Sequence, residues 1–203
     1  MRTLETLLLL LPVLTLAACD DVKDPSETNP EEVITTVVLD FTPTSGGDTL
    51  TFTWADPEND GSPTIDPVVL SDASDYTLAV SFLNELEDPA EDITLEVEEE
   101  SDQHQVFFTG AAVEGPSTGD NPDALISQAY ADTDANGYPV GLEDDIGTLM
   151  TGTETLTVTL RHLPPESDTP VKTGTLADTA ASGGVAALPG ETDASVDFEL
   201  TVE

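Results

Sequence analysis

Apolar residues at every second position recur along this chain, and a period of two leaves little besides β-structure open to it. Tyr76, Leu78, Val80 and Phe82 alternate with small or polar residues from Tyr76 to Leu83. The same spacing returns in Thr155 to His162, through Leu156, Val158, Leu160 and His162, and in Ser195 to Val202, through Val196, Phe198, Leu200 and Val202. Leu50, Phe52 and Trp54 share one face of Thr49 to Trp54, and His104, Val106 and Phe108 share one face of His104 to Thr109. Val33 to Phe41, Pro67 to Ser71 and Leu125 to Ala131 read as further strands. Asp88 to Asp102 carries both signals: Ile93, Leu95 and Val97 alternate, but the density of Glu favours a short helix, which is the reading adopted. Gly110 to Asp123 is Gly, Pro and Ser rich and reads as a connection, and Pro164 to Thr192 as a loose stretch. About eight strands in roughly 170 residues predict an all-β fold, an antiparallel β-sandwich of Ig-like or jelly-roll-like kind with one short helix.

One phrase occurs twice. Trp54-Ala-Asp-Pro-Glu-Asn-Asp-Gly-Ser-Pro63 returns as Tyr130-Ala-Asp-Thr-Asp-Ala-Asn-Gly-Tyr-Pro139, so the chain reads as a weak tandem repeat with halves near 33–110 and 111–203. Each copy places three oxygen-bearing side chains at alternate positions before a Gly, the way a chain wraps a hard cation. The second copy completes the calcium-loop pattern. Asp132, Asp134 and Asn136 supply side-chain oxygens, Gly137 the reversal, Tyr138 a backbone carbonyl and Glu143 a closing carboxylate. The first copy offers Asp56, Glu58, Asp60 and Gly61, with Pro67 where the closing acid belongs. Ca²⁺ is therefore expected at the second loop and less completely at the first; the alternative is a pair of Asx-rich turns needing no metal.

His104 and His162 are the chain's two histidines, each at the end of a strand with inward parity. Beside acids such as Glu99, Glu100, Asp102 or Glu166 they are candidate ligands for Zn²⁺ or another transition metal. Their separation matches no ligand-spacing motif, so a shared site requires the fold to bring them together. Gly115-Pro-Ser117-Thr-Gly119 matches the G-x-S-x-G of serine hydrolases, but a nucleophile elbow joins a strand to a helix in a βαβ setting, and Ser117 lies in a Pro/Gly-rich connector. Serine hydrolase activity is the remote alternative, and the chain is read as a binding protein without catalysis.

Residues 1–18 form an export signal: Arg2, an apolar run from Leu7 to Leu16, then Ala17 and Ala18 before Cys19. A run of about ten apolar residues is half of what a membrane span needs. Leu16-Ala17-Ala18-Cys19 resembles a bacterial lipobox, which implies acylation of Cys19 and attachment to a membrane by that anchor. As the single cysteine, Cys19 leaves no internal disulfide or thiolate metal cluster. Residues 19–32 are acidic and Pro-containing without apolar periodicity, an expected disordered tether before a domain at 33–203. The whole chain carries 42 Asp and Glu against 4 Lys and Arg, a formal net charge of -38. Such a surface repels phosphate backbones, which removes nucleic acid as a partner. Two readings of the acidity remain: adaptation to high salt, and collection of cations.

Several longer phrases, EDITLEVEEESDQHQVFF, YADTDANGYPVGL, LTVTLRH and GETDASVDFELTV, resemble a group of uncharacterised Bacteroidota-type lipoproteins. Some members carry the label of type 1 periplasmic-binding-domain proteins, and they are often encoded beside TonB-dependent receptors. The two Rossmann-like lobes that label implies do not suit a β-rich chain, so the fold is not carried over. The resemblance implies an outer-membrane lipoprotein, surface-exposed or facing the periplasm, that helps a TonB-dependent receptor capture a metal or small solute. The alternative is a structural or adhesion module stiffened by Ca²⁺.

Overall fold

The computed structural model describes residues 32–167 and 169–203. The expected signal, Cys19 and the tether up to residue 31 lie outside them. Twelve strands and two short helices follow in the order β1 (Thr36–Pro43), β2 (Leu50–Ala55), β3 (Thr64–Ile65), β4 (Val68–Leu70), β5 (Asp75–Asn84), β6 (Glu91–Asp92), α1 (Ile93–Glu99), β7 (His104–Thr109), β8 (Val113–Glu114), β9 (Ile126–Tyr130), β10 (Glu143–Thr148), β11 (Gly152–His162), α2 (Leu176–Gly183) and β12 (Glu191–Val202).

The strands form two sheets. The larger runs β3-β2-β1-β5-β10-β9-β8, with β6 paired to β5, and the smaller runs β4-β12-β11-β7. Pairing is antiparallel except for two short parallel contacts, β4 on β12 and β8 on β9. The sequence period explains why the sheets stack. Val37, Leu39 and Phe41 of β1 and Tyr76, Leu78, Val80 and Phe82 of β5 meet Leu156, Val158 and Leu160 of β11 and Val196, Phe198 and Leu200 of β12 in one core. Strands from both sides of residue 110 contribute to both sheets, and β5 lies between β1 and β10. β5 and β11, the long alternating strands that follow the two copies of the repeated phrase, fall in different sheets.

One element follows the sequence reading and two depart from it. Asp88 to Asp102 does contain a helix: Asp92 caps α1 by accepting the Thr94 amide at 3.1 Å. Ile93 and Val97 are buried while Leu95 is 57 % exposed, the four-residue spacing of a helix rather than the alternation of a strand. The unexpected strand β10, EDDIGT, has one large apolar residue; pairing with β5 on one side and β9 on the other makes it a strand. The stretch from Pro164 to Thr192, expected to be loose, contains α2, whose Leu176 and Ala180 join Leu188 over Phe107 and Leu163. That cover is why β7 is buried from His104 to Phe108 on both faces, where alternation predicted one.

Candidate metal centre

Strands β7 and β11 place His104 and His162 directly opposite each other in register. Their rings stack with centroids 4.7 Å apart and planes 10° from parallel. On the other side of β11, β12 pairs regularly until the register shifts between Leu160, opposite Ala194, and Arg161, opposite Thr192. Asp193 is the additional residue of this β-bulge. Continued alternation from Val196 would send Asp193 outward; a bulge re-aims the side chain, and that of Asp193 is 0 % exposed with Oδ2 4.0 Å from His104 Nε2. Glu32, just ahead of β1, closes the cluster. Its Oε1 lies 3.4 Å from His104 Nε2 and its Oε2 3.9 Å from His162 Nδ1, with the side chain 2 % exposed.

One ligand atom from each of Glu32, His104, His162 and Asp193 can be chosen so that all lie within 4.8 Å of one another. Tetrahedral Zn²⁺ with donors at about 2.0–2.1 Å separates them by roughly 3.3 Å. Three of the pairs stand at 3.4, 3.9 and 4.0 Å and all lie within 4.8 Å, so the side chains would have to draw together, by about 1.5 Å at most, to share one ion. The protonation chemistry suits such an ion. His104 Nδ1 lies 3.2 Å from the Glu100 carbonyl; a carbonyl only accepts, so Nδ1 carries the proton and the neutral ring presents its lone pair at Nε2. The Glu32 carboxylate oxygens and His104 Nε2 have no hydrogen-bond partner among the described residues beyond their own long contact at 3.4 Å, an arrangement that is costly for buried polar atoms unless a cation supplies the missing interaction. Burial alone would raise the Glu32 carboxyl; hydrogen bonding to His104 and the charges of both histidines outweigh it and hold Glu32 below its ordinary value.

The sequence expectation for this cluster was half complete. The histidines were named, and the fold supplies the meeting they needed. The expected acids do not join them: Glu99, Asp102 and Glu166 are exposed, and Glu100 contributes its carbonyl. Glu32 falls in the expected tether, and Asp193 between the expected loose stretch, which ends at Thr192, and the last expected strand, which begins at Ser195. No period marks either residue, because one lies before the first strand and the other is placed by a bulge.

The calcium loops are organised differently from the expectation. Asp132 accepts the amides of Gly141 at 2.7 Å, Leu142 at 2.9 Å and Glu143 at 3.3 Å. Asp134 accepts those of Asn136 at 2.8 Å and Tyr138 at 3.0 Å, and the Tyr138 carbonyl accepts the Asp134 amide. A cation does sit against the loop, but it is the buried ammonium of Lys172, 3.1 Å from Asp134 and donating to the Ser101 carbonyl at 2.7 Å. Asn136 is exposed, and so is Glu143, on the first residue of β10. In the first loop Asp56 accepts the amides of Asp60 at 3.1 Å and Gly61 at 2.8 Å, while Glu58 and Asp60 are exposed. Both loops are Asx-type turns whose leading carboxylates are spent on backbone amides.

Ser117 is buried in a turn closed by Gly115 and Gly119. Tyr130 Oη donates to the Val106 carbonyl at 2.9 Å, so Ser117, 3.2 Å from that oxygen, is the donor in their contact. Both histidines belong to the cluster above, and neither contacts Ser117 in the hydrogen bonds of the described residues. Comparison of the chain with family models, curated proteins and solved structures finds no match.

Proposed function

We propose that this protein binds a borderline divalent metal ion, Zn²⁺ above all, through Glu32, His104, His162 and Asp193, and does so at the bacterial cell envelope. The observation that carries the reading is the convergence of two imidazoles and two carboxylates, from four separate stretches of chain, on one buried point. Two nitrogens with two oxygens suit Zn²⁺ and its neighbours better than Ca²⁺, which prefers six to eight oxygens. Envelope placement rests on the export signal and lipobox read in the sequence, with Cys19 as the lipidated residue. An outer-membrane anchor and a TonB-dependent receptor as partner rest on the resemblance of the longer phrases. The task is binding and hand-over rather than catalysis, since the cluster offers no open coordination position and Ser117 lacks a base.

A second reading, a metal-stiffened structural module, is favoured by the closure of the site, because structural zinc sites are fully ligated by protein. Isothermal titration of the full chain with Zn²⁺ tests the common premise. The expected result is one ion per chain, with His104→Ala and His162→Ala each weakening binding at least about 100-fold, beyond the upper end of second-shell losses. Equal affinity in the variants and the parent overturns it.

A further inference from the structure

The four ligands are not held equally. His104, His162 and Asp193 sit on β7, β11 and β12, three neighbouring strands of one sheet: the two histidines are paired with each other in the β7–β11 ladder, and Asp193 lies in the bulge of β12 between the paired Thr192 and Ala194. Glu32 belongs to no strand. Past it, Val33 is 44 % exposed, and the chain is tied to the larger sheet from Thr35, whose amide donates to the Leu83 carbonyl at 2.9 Å and whose hydroxyl accepts the Glu85 amide at 2.8 Å. Rotation about Val33 therefore moves Glu32 without breaking any of those ties, while Ile34 stays packed on the core; displacing the backbone of His104 or His162 breaks the β7–β11 ladder, and that of Asp193 is held by paired residues on both sides. The Glu32 carboxylate faces both histidines, Oε1 3.4 Å from His104 Nε2 and Oε2 3.9 Å from His162 Nδ1, and has no closer hydrogen-bond partner within the described residues, so its inward position is held by the cluster it completes.

Resting on the metal reading above, we propose that Glu32 is the exchangeable ligand and gate of the site: a divalent transition metal enters and leaves as Glu32 swings out, and the bound ion latches it shut. A site closed at rest can then give up its ion without unfolding the sheet, as hand-over to a receptor requires and a purely structural site does not. The latch also ties metal occupancy to the place where the chain leaves the sandwich toward its N-terminus. Small movements of residues at an element's end are the usual way such closures work.

The test follows zinc release from the full chain to excess chromophoric chelator in a stopped-flow instrument, together with hydrogen exchange at the amides of Val33 and Ile34. Glu32→Gln keeps the shape of the side chain and removes its charge; Asp193→Asn does the same at a ligand on the sheet. Expected for Glu32→Gln is release faster by about 100-fold or more, above second-shell losses, with loss of the zinc-dependent protection at residues 33 and 34. Asp193→Asn should weaken binding yet keep that protection. A cooperative melting transition in both metal-free variants shows that they are folded. If zinc binds the parent but leaves Glu32→Gln no faster than the parent, the gate is overturned and the metal reading stands. Should the parent bind no zinc at all, the metal reading fails and the gate with it.

Discussion

Burial pulls both histidines down. At His104 it is outweighed, by the hydrogen bond and charge of Glu32, then the Glu100 carbonyl and Asp193, so that ring holds its proton above the ordinary 6.5; at His162 burial prevails and the ring lies below 6.5. In metal-free protein His104 therefore contributes stability that is fully present below 6.5 and lost as pH rises through its higher folded value. His162 acts in the opposite sense, but only below 6.5. Asp144 adds to the His104 trend. Burial raises its carboxyl from 3.8 to about 8 even though Gln128 donates to it at 2.6 Å. Folded Asp144 thus keeps a proton that the unfolded chain has released, and stability falls through that whole interval. Zinc needs the His104 lone pair and must displace the proton, so its affinity changes the other way, by up to about tenfold per pH unit. From pH 6.5 to 8 the melting temperature of metal-free protein is expected to fall while the increment added by zinc grows. Calorimetry with and without metal reads both, and Asp144→Asn should flatten the first trend and leave the second. A zinc increment that stays flat over this window removes His104 from the ligand set.

The loop between β9 and β10 shows how a metal pattern becomes a protein one. Lys172, from the segment before α2, reaches Asp134 and the Ser101 carbonyl after α1, tying three connections together around one buried ammonium. Its pKa is lowered by burial despite the Asp134 carboxylate. Lys172→Met leaves Asp134 buried without its cation and should cost about 3–5 kcal/mol in urea unfolding; Asp134→Asn in the same background should recover most of it. Millimolar Ca²⁺ should shift neither the parent nor Lys172→Met through this loop, because Asp132 already accepts three amides; a calcium-induced rise in the parent that Asp132→Ala abolishes would restore the metal-loop reading. These elements also mark what could be read in advance. β5, β11 and β12 were legible because each buries one face against the opposite sheet, and the histidines because alternation turned them inward. β10 was not, since its strand character comes from its neighbours. Nor were α2, with two buried apolar residues in a Gly-rich stretch, or Asp193, set by an extra residue that shifts the parity of its strand. Asp132 and Asp134 matched a calcium loop because an Asx turn asks for the same residues, and no local pattern shows that Lys172, some forty positions on, supplies the charge.

Across the whole molecule the few cations are telling. Of the 4 Lys and Arg in the chain, Arg161 and Lys172 fall among the described residues, and both are buried. Arg161 is spent on the turn before β12, where its Nη2 donates to the carbonyls of Leu188 at 3.1 Å, Pro189 at 2.7 Å and Gly190 at 2.6 Å. The described surface therefore carries acids with no Lys or Arg to offset them, and their repulsion acts on the folded state at close range. The Debye length shrinks from about 10 Å at 0.1 M to about 3 Å at 1 M salt, so added salt should relieve that strain without binding anywhere. If the acidity is salt adaptation, the melting temperature should climb by at least about 5 °C between 0.1 and 1 M NaCl, the shift roughly 2 kcal/mol produces in a chain of this size. KCl should act identically, and chlorides are the proper choice because sulfate stabilises by exclusion from the surface as well. Cation collection makes a different demand: at fixed ionic strength, replacing Na⁺ with Mg²⁺ or Ca²⁺ must raise the midpoint further, as a ligand specific to the folded state does. Carrying out both series in His104→Ala keeps the proposed transition-metal site out of the comparison. A midpoint that ignores NaCl but follows the divalent ion assigns the acids to capture, and the reverse assigns them to life in salt.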